Sequence, residues 1–136
     1  MRIMSIPASV HFHNMDRSAA LVADIESHVE ALSHYYERIT DCQVTIEAPL
    51  QHHHKGRRYK VVIRISVPGD TLVVSHEDES SPAHEDCYVA VRDAFRSARR
   101  QLQDYARIQR KKVKGDEISA KRRFRAELEK EDRKHK

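Results

Sequence analysis

Between residues 6 and 112 the spacing of apolar side chains changes period three times, and that succession restricts the fold more than any other property of the chain. Ile6, Ala8, Val10 and Phe12 alternate with Pro7, Ser9 and His11, a period of two that an extended strand presents to a core. Pro7 has no ladder donor, which predicts a strand that starts late or lies at a sheet edge. Leu21, Val22, Ile25, Val29, Leu32, Tyr36 and Ile39 then recur at helical spacing, with Asn14, Asp16 or Ser18 available as the cap. Alternation returns in Cys42, Val44, Ile46 and Ala48, ended by Pro49. It returns again in Tyr59, Val61, Ile63, Ile65 and Val67, which stop at a Pro68-Gly69 turn before a short strand from Leu72 to His76. Beyond the polar segment EDESSPAHED, the stripe Tyr88, Val91, Ala94, Phe95, Ala98, Leu102 and Tyr105 predicts a helix over 87–112.

The order strand, helix, strand, strand, strand, helix predicts an α+β domain. A strand-helix-strand start favours a parallel crossover, and the meander that follows adds antiparallel strands. The result is a four-stranded mixed sheet with both helices packed on one face and the other face open. A chain of 136 residues has room for one such core. We place it at residues 1–114. Residues 115–136 are charge-dense, with Ile118, Phe124 and Leu128 as their only sizeable apolar side chains, and read as a frayed helix or a disordered tail. No apolar run approaches the eighteen or so residues of a membrane span, and the first residues lack a signal-peptide pattern, so the expectation is a soluble, cytoplasmic protein that contacts no membrane. Cys42 and Cys87 are too few for a disulfide framework and read as free thiols. Cys87 precedes a helix, where the dipole acts to lower a thiol pKa, but a small buried residue without catalytic role is the simpler reading.

Charge is segregated along the chain. The whole sequence carries 25 cations and 21 anions, a net of +4. Between Tyr88 and Lys114 there are nine cations (Arg92, Arg96, Arg99, Arg100, Arg107, Arg110, Lys111, Lys112, Lys114) and two acids (Asp93, Asp104), a local net of +7 that exceeds the surplus of the entire chain. At 100° per residue, with Arg92 at zero, Arg96 falls near about 40°, Arg99 near 340°, Arg100 near 80°, Arg107 near 60° and Arg110 near zero, whereas the apolar stripe centres near 260°. The first helical segment, from Arg17 to Arg38, is instead net −2. Lys55, Arg57, Arg58, Lys60 and Arg64 form a second basic group around the third strand, expected to join the helix in one positive surface. Two cation groups with few interleaved acids, Asp93 and Asp104 in the helix, point to a polyanionic partner.

Signatures of catalysis are missing: there is no glycine-rich phosphate loop, no nucleophile elbow, and no HExxH or paired-cysteine zinc pattern. The run His52, His53, His54 lies in a strand-connecting loop. Consecutive residues project in different directions, whereas a metal needs ligands converging at about 2 Å. These histidines read either as stacking and hydrogen-bonding groups at the rim of a basic surface or as a loop without function. Glu77, Asp78 and Glu79 read as a solvated turn. The expectation is a protein that is not an enzyme, holds no cofactor or metal, and takes no small-molecule substrate.

Four stretches carry a resemblance to a known family: FHNMDRS before the first helix; YYERITDCQVTIEAP at its end and through strand two; HHHKGRRYKVVIRISVPGDTLVV across the hairpin; and HEDCYVAVRDAFRSARRQLQDYARIQ in the long helix. The last is the most specific. Over roughly Ile6 to Lys114 the chain resembles the hibernation-promoting factor and ribosome-associated inhibitor family, also labelled sigma-54 modulation proteins, in its short form. The resemblance implies a domain that binds the small ribosomal subunit and its ribosomal RNA in the channel used by messenger and transfer RNA, inhibiting translation under stress. It also implies RNA contacts through Arg92, Arg96, Arg99, Arg100, Arg107, Arg110 and Lys111, with Lys55, Arg57, Arg58 and Lys60 as a second group, on a protein that is a monomer off the ribosome. The chain departs from the family's pattern in its acidic first helix, and residues 115–136 are too short and too charged for the additional domain of longer members. Two alternatives stand beside this reading. One is a general RNA-binding or RNA-chaperone module independent of ribosomes; the other is a metal-dependent enzyme or sensor using His52, His53, His54 and His84.

Overall fold

The computed structural model describes residues 6–48, 59–77 and 86–134. The elements run β1 (Ala8–His13), α1 (Ala19–Leu32), β2 (Asp41–Glu47), β3 (Lys60–Val67), β4 (Asp70–His76) and α2 (Cys87–Lys134). The strands form one sheet in the order β1-β2-β3-β4. β1 and β2 pair in parallel, with Val10 opposite Val44, and α1 supplies the crossover that a parallel pair requires. β2 with β3 and β3 with β4 are antiparallel.

The alternation of the sequence becomes two unlike faces. Val10, Val44, Ile63 and Val74 form one cross-strand row, and Phe12, Ile46, Val61 and His76 the next. In the two central strands Cys42, Val44, Ile46, Val61, Ile63 and Ile65 are completely buried. The intervening residues make a polar row-set, Ser9-Gln43-Arg64-Val73 and His11-Thr45-Val62-Ser75. Leu21, Ile25, Val29 and Leu32 of α1, and Ala90, Val91, Ala94, Phe95, Ala98 and Leu102 of α2, are buried with the inner face. Both helices therefore cover one side of the sheet, and the other side is open. Each large side chain so removed from water contributes about 1.5–3 kcal/mol.

Local chemistry sets the ends of the elements. β1 begins after Pro7, whose carbonyl accepts the Cys42 amide at 3.0 Å, and it lies at the sheet edge as a proline-led strand should. Of the three candidate caps Ser18 is the one used: its backbone is extended and its hydroxyl accepts the Leu21 amide at 3.2 Å. α1 stops at Leu32, short of Tyr36 and Ile39; the Ser33 hydroxyl donates to the Glu30 carbonyl at 2.7 Å, and the backbone bonds tighten to the three-residue spacing at His34 and Tyr35 before the chain leaves toward β2. The β3–β4 hairpin closes on Pro68 and Gly69, and Gly69 has φ 78°, the left-handed conformation that glycine adopts without a Cβ penalty.

The chain divides into two compact units, Met1–Gln103 and Asp104–Lys136. The first holds the sheet, α1 and the start of α2. In the second, α2 continues to Lys134, well past Tyr105 where the apolar stripe gives out and past Lys112, its expected end. Residues 110–131 are all exposed. Helical order there rests on residues of high intrinsic propensity and on opposite charges four apart: Glu117 with Lys121, Arg123 with Glu127, Arg125 with Glu129. None of the helices among the described residues is long and apolar enough to cross a membrane.

Candidate nucleic-acid interface

α2 presents its cations because its buried side is fully used by the core. Val91, Ala94, Phe95, Ala98 and Leu102 are buried, which leaves Arg92, Arg96, Arg99 and Arg100 exposed on the outer arc of the first unit. One carboxylate moderates this group. Asp93 lies 3.3 Å from Arg92 and 3.8 Å from Arg96, with those arginine side chains 50% and 65% exposed, so the pairs are solvent-screened and leave a net positive arc. Arg99 is held differently, its guanidinium 5.2 Å from the centre of the Tyr35 ring, in cation–π range. Arg107, Arg110 and Lys111 belong to the second unit, where all three are exposed and Arg107 pairs with Asp104 at 3.3 Å.

The strand group goes elsewhere. Lys60 and Arg64 alternate with Val61, Ile63 and Ile65 along β3, and since those three point inward, Lys60 and Arg64 stand on the open face of the sheet. The expected single surface joining strand and helix cations is therefore not formed by these two: the sheet lies between them and α2. Lys55, Arg57 and Arg58 lie outside the described residues, as do His52, His53, His54, His84, Asp78 and Glu79. Glu77 is exposed. Among the described residues no group of three or more His, Cys, Asp or Glu side chains is placed to hold a metal. α1 brings no cation to the site, carrying Asp24, Glu26 and Glu30.

Two aromatic residues at the site escaped the sequence pattern. Tyr88, counted above with the apolar stripe, is 42% exposed, while Ala90 is buried. The wheel gives the reason: Tyr88 falls near about 320°, on the border beside Arg99, rather than at the centre of the stripe. Tyr35 follows the end of α1 and was hidden by its neighbour Tyr36, which fits the helical period. The thiols take no part. Burial, with Asp41 adjacent, pushes the Cys42 thiol from an ordinary 9.0 up to about 12. Cys87 is also raised, by burial first and then by Asp86, and this outweighs the backbone hydrogen bonds that act in the lowering direction. The helix start therefore does not activate Cys87.

A model of the family described as sigma 54 modulation protein / S30EA ribosomal protein matches residues 8–110. Among solved structures, the Protein Y N-terminal domain of Thermus thermophilus aligns with a TM-score of 0.53 at 19% identity, covering 75% of this chain and 99% of that one. A ribosomal subunit interface protein from Coxiella burnetii aligns with a TM-score of 0.56 at 18% identity, covering 74% of this chain and 98% of that one. At such identities the two structures speak to the fold alone. A search of curated proteins gave no significant match.

Proposed function

The chain belongs to the sigma 54 modulation protein / S30EA ribosomal protein family, and from that premise we propose that it is a ribosome hibernation factor. In this reading it binds the small ribosomal subunit in the channel of messenger and transfer RNA and inhibits translation by occupying that space, with no chemical step. The observation that carries the proposal is the exposed arginine arc of α2, Arg92, Arg96, Arg99 and Arg100, mounted on a helix whose other side is locked into the core. A planar guanidinium holds a phosphate through two parallel hydrogen bonds, and folded RNA is recognised largely by shape and by such phosphate contacts. Lys60 and Arg64 on the far side of the sheet support the same reading. A slab with cations on both outer surfaces suits insertion between walls of RNA, whereas a protein lying on one duplex needs charge on one side.

The same arginines would also serve a general RNA-binding module, and competition separates the two. Sedimentation with purified small subunits in a large mass excess of bulk RNA should leave the protein bound to the subunits. Loss of the protein to the bulk RNA in proportion to its phosphate would assign it to the general class instead.

A further inference from the structure

Where α1 and α2 run side by side in the first unit, their facing side chains leave a cavity of about 210 Å³. Its walls are two ring stacks of different chemistry. On one side the His28 imidazole lies against the Phe95 ring, centroids 5.0 Å apart and planes 13° from parallel; on the other, Arg99 covers Tyr35. Arg92 and Arg96 complete the rim, and Ala31 is the small residue that keeps the space open. The cavity is smaller than the roughly 300–1,000 Å³ of a pocket that encloses a drug-sized ligand. It suits one planar ring entering from solvent rather than a whole cofactor.

Each wall matches a different part of the same ligand. Aromatic faces and guanidinium planes are the surfaces on which unstacked bases stack. Three guanidiniums against two nearby carboxylates, Asp93 beside Arg92 and Arg96 and Asp24 at 3.6 Å from His28, leave an excess of positive charge on the α2 side of that ring site, where a phosphate would sit. The geometry points to a nucleotide-binding pocket: a single base enters between Tyr35 and the His28–Phe95 stack while its phosphate is held by Arg96 and Arg99. The inference rests on the RNA-binding reading above and extends it from the phosphate backbone to one base. The nucleotide is either a flipped-out residue of the bound RNA or a free nucleotide from solution, and the two sources share this chemistry.

Titration of the purified protein with adenosine 5′-monophosphate, followed by the NMR resonances of the Tyr35 and His28 rings, tests it. The pocket predicts saturable shifts of both rings with the nucleotide; ribose 5-phosphate, which offers the phosphate without the base, should bind more weakly and shift only Tyr35, beside Arg99. Ala31 is exposed on α1, so Ala31→Trp plugs the cavity while leaving all three arginines in the chain, and should weaken nucleotide binding tenfold or more. Tyr35→Leu, which removes one wall, should do the same and covers the case in which the larger side chain perturbs the helix. If Ala31→Trp also weakens binding to small subunits, the natural occupant is an RNA base; if subunit binding is untouched, it is a free nucleotide. Equal ring shifts from ribose 5-phosphate, or nucleotide affinity unchanged in both variants, would overturn the pocket while leaving the ribosome-binding proposal standing. That proposal is overturned separately, by wild-type protein that shows the ring shifts yet does not bind subunits.

Discussion

Replacing Arg96, Arg99 and Arg100 together with glutamate is expected to abolish co-sedimentation with small ribosomal subunits while the far-ultraviolet circular dichroism remains that of the wild type. All three side chains are exposed and none belongs to the buried side of α2, so the core of Val91, Ala94, Phe95, Ala98 and Leu102 is untouched. The cost to the fold is small. Arg96→Glu puts a carboxylate three residues from Asp93, an unfavourable pair of roughly 0.2–0.5 kcal/mol, and Arg99→Glu removes an exposed cation–π contact of about 0.5–1 kcal/mol. The expected cost to binding is large, because the proposed interface would lose three phosphate contacts and three like charges would then face the polyanion. If each contact contributes about 1 kcal/mol or more, the loss is at least about a hundredfold. The slope of log affinity against log salt should flatten by roughly 2–3, since each phosphate contact accounts for about 0.7–0.9 of it. Wild-type affinity in the triple variant would remove this arc from the interface.

Truncating Ile63 to alanine is expected to lower stability by about 2–5 kcal/mol, because a completely buried large side chain leaves a cavity that its neighbours close only in part. Ile63 sits in the middle of the row Val10, Val44, Ile63, Val74, beneath both helices. For a domain of this size the loss corresponds to a fall in Tm on the order of 10 °C. The control is one residue away. Val62 points to the open face, where Val62→Ala should cost less than about 1 kcal/mol. Thermal unfolding of the two variants side by side reads out which face the helices cover. Equal losses would mean that the second face is also packed.

Periodicity was enough to read the sheet from the residues, and the reason is physical. In β2 and β3 one face is completely buried and the other is polar, so every second residue is fixed by burial and the pattern has one solution. The helix ends were less readable. Tyr36 and Ile39 keep the helical period after α1 has stopped, because the last turn tightens through local backbone bonds that leave no hydrophobic signature. At the other end of the chain, α2 continues to Lys134 where the apolar stripe has ended, sustained by propensity and spaced charges that a core-facing pattern does not register.

The candidate site divides in the same way. The arginine arc could be read from a helical wheel because α2 is regular and its buried side leaves one exposed direction. Where Lys60 goes was legible too, although the expected single surface overlooked it: the alternation that turns Val61, Ile63 and Ile65 toward the helices turns Lys60 and Arg64 away from them. The structure puts Lys60 and Arg64 opposite them, on the open side. Tyr35 and the cavity beside it were invisible for a further reason: the pairing of Tyr35 with Arg99, and of His28 with Phe95, joins residues more than sixty positions apart and follows from helix packing alone.

The central claim is occlusion, and occupancy of the channel tests it most directly. Small subunits are loaded with a short messenger and a cognate transfer RNA, or left empty, and the labelled protein is titrated onto each at one fixed salt concentration. Occlusion predicts tight binding to empty subunits, binding weakened tenfold or more on loaded ones, and reciprocal release of messenger and transfer RNA as the protein is raised. Equal affinity for empty and loaded subunits, with both RNAs retained at saturation, would contradict it.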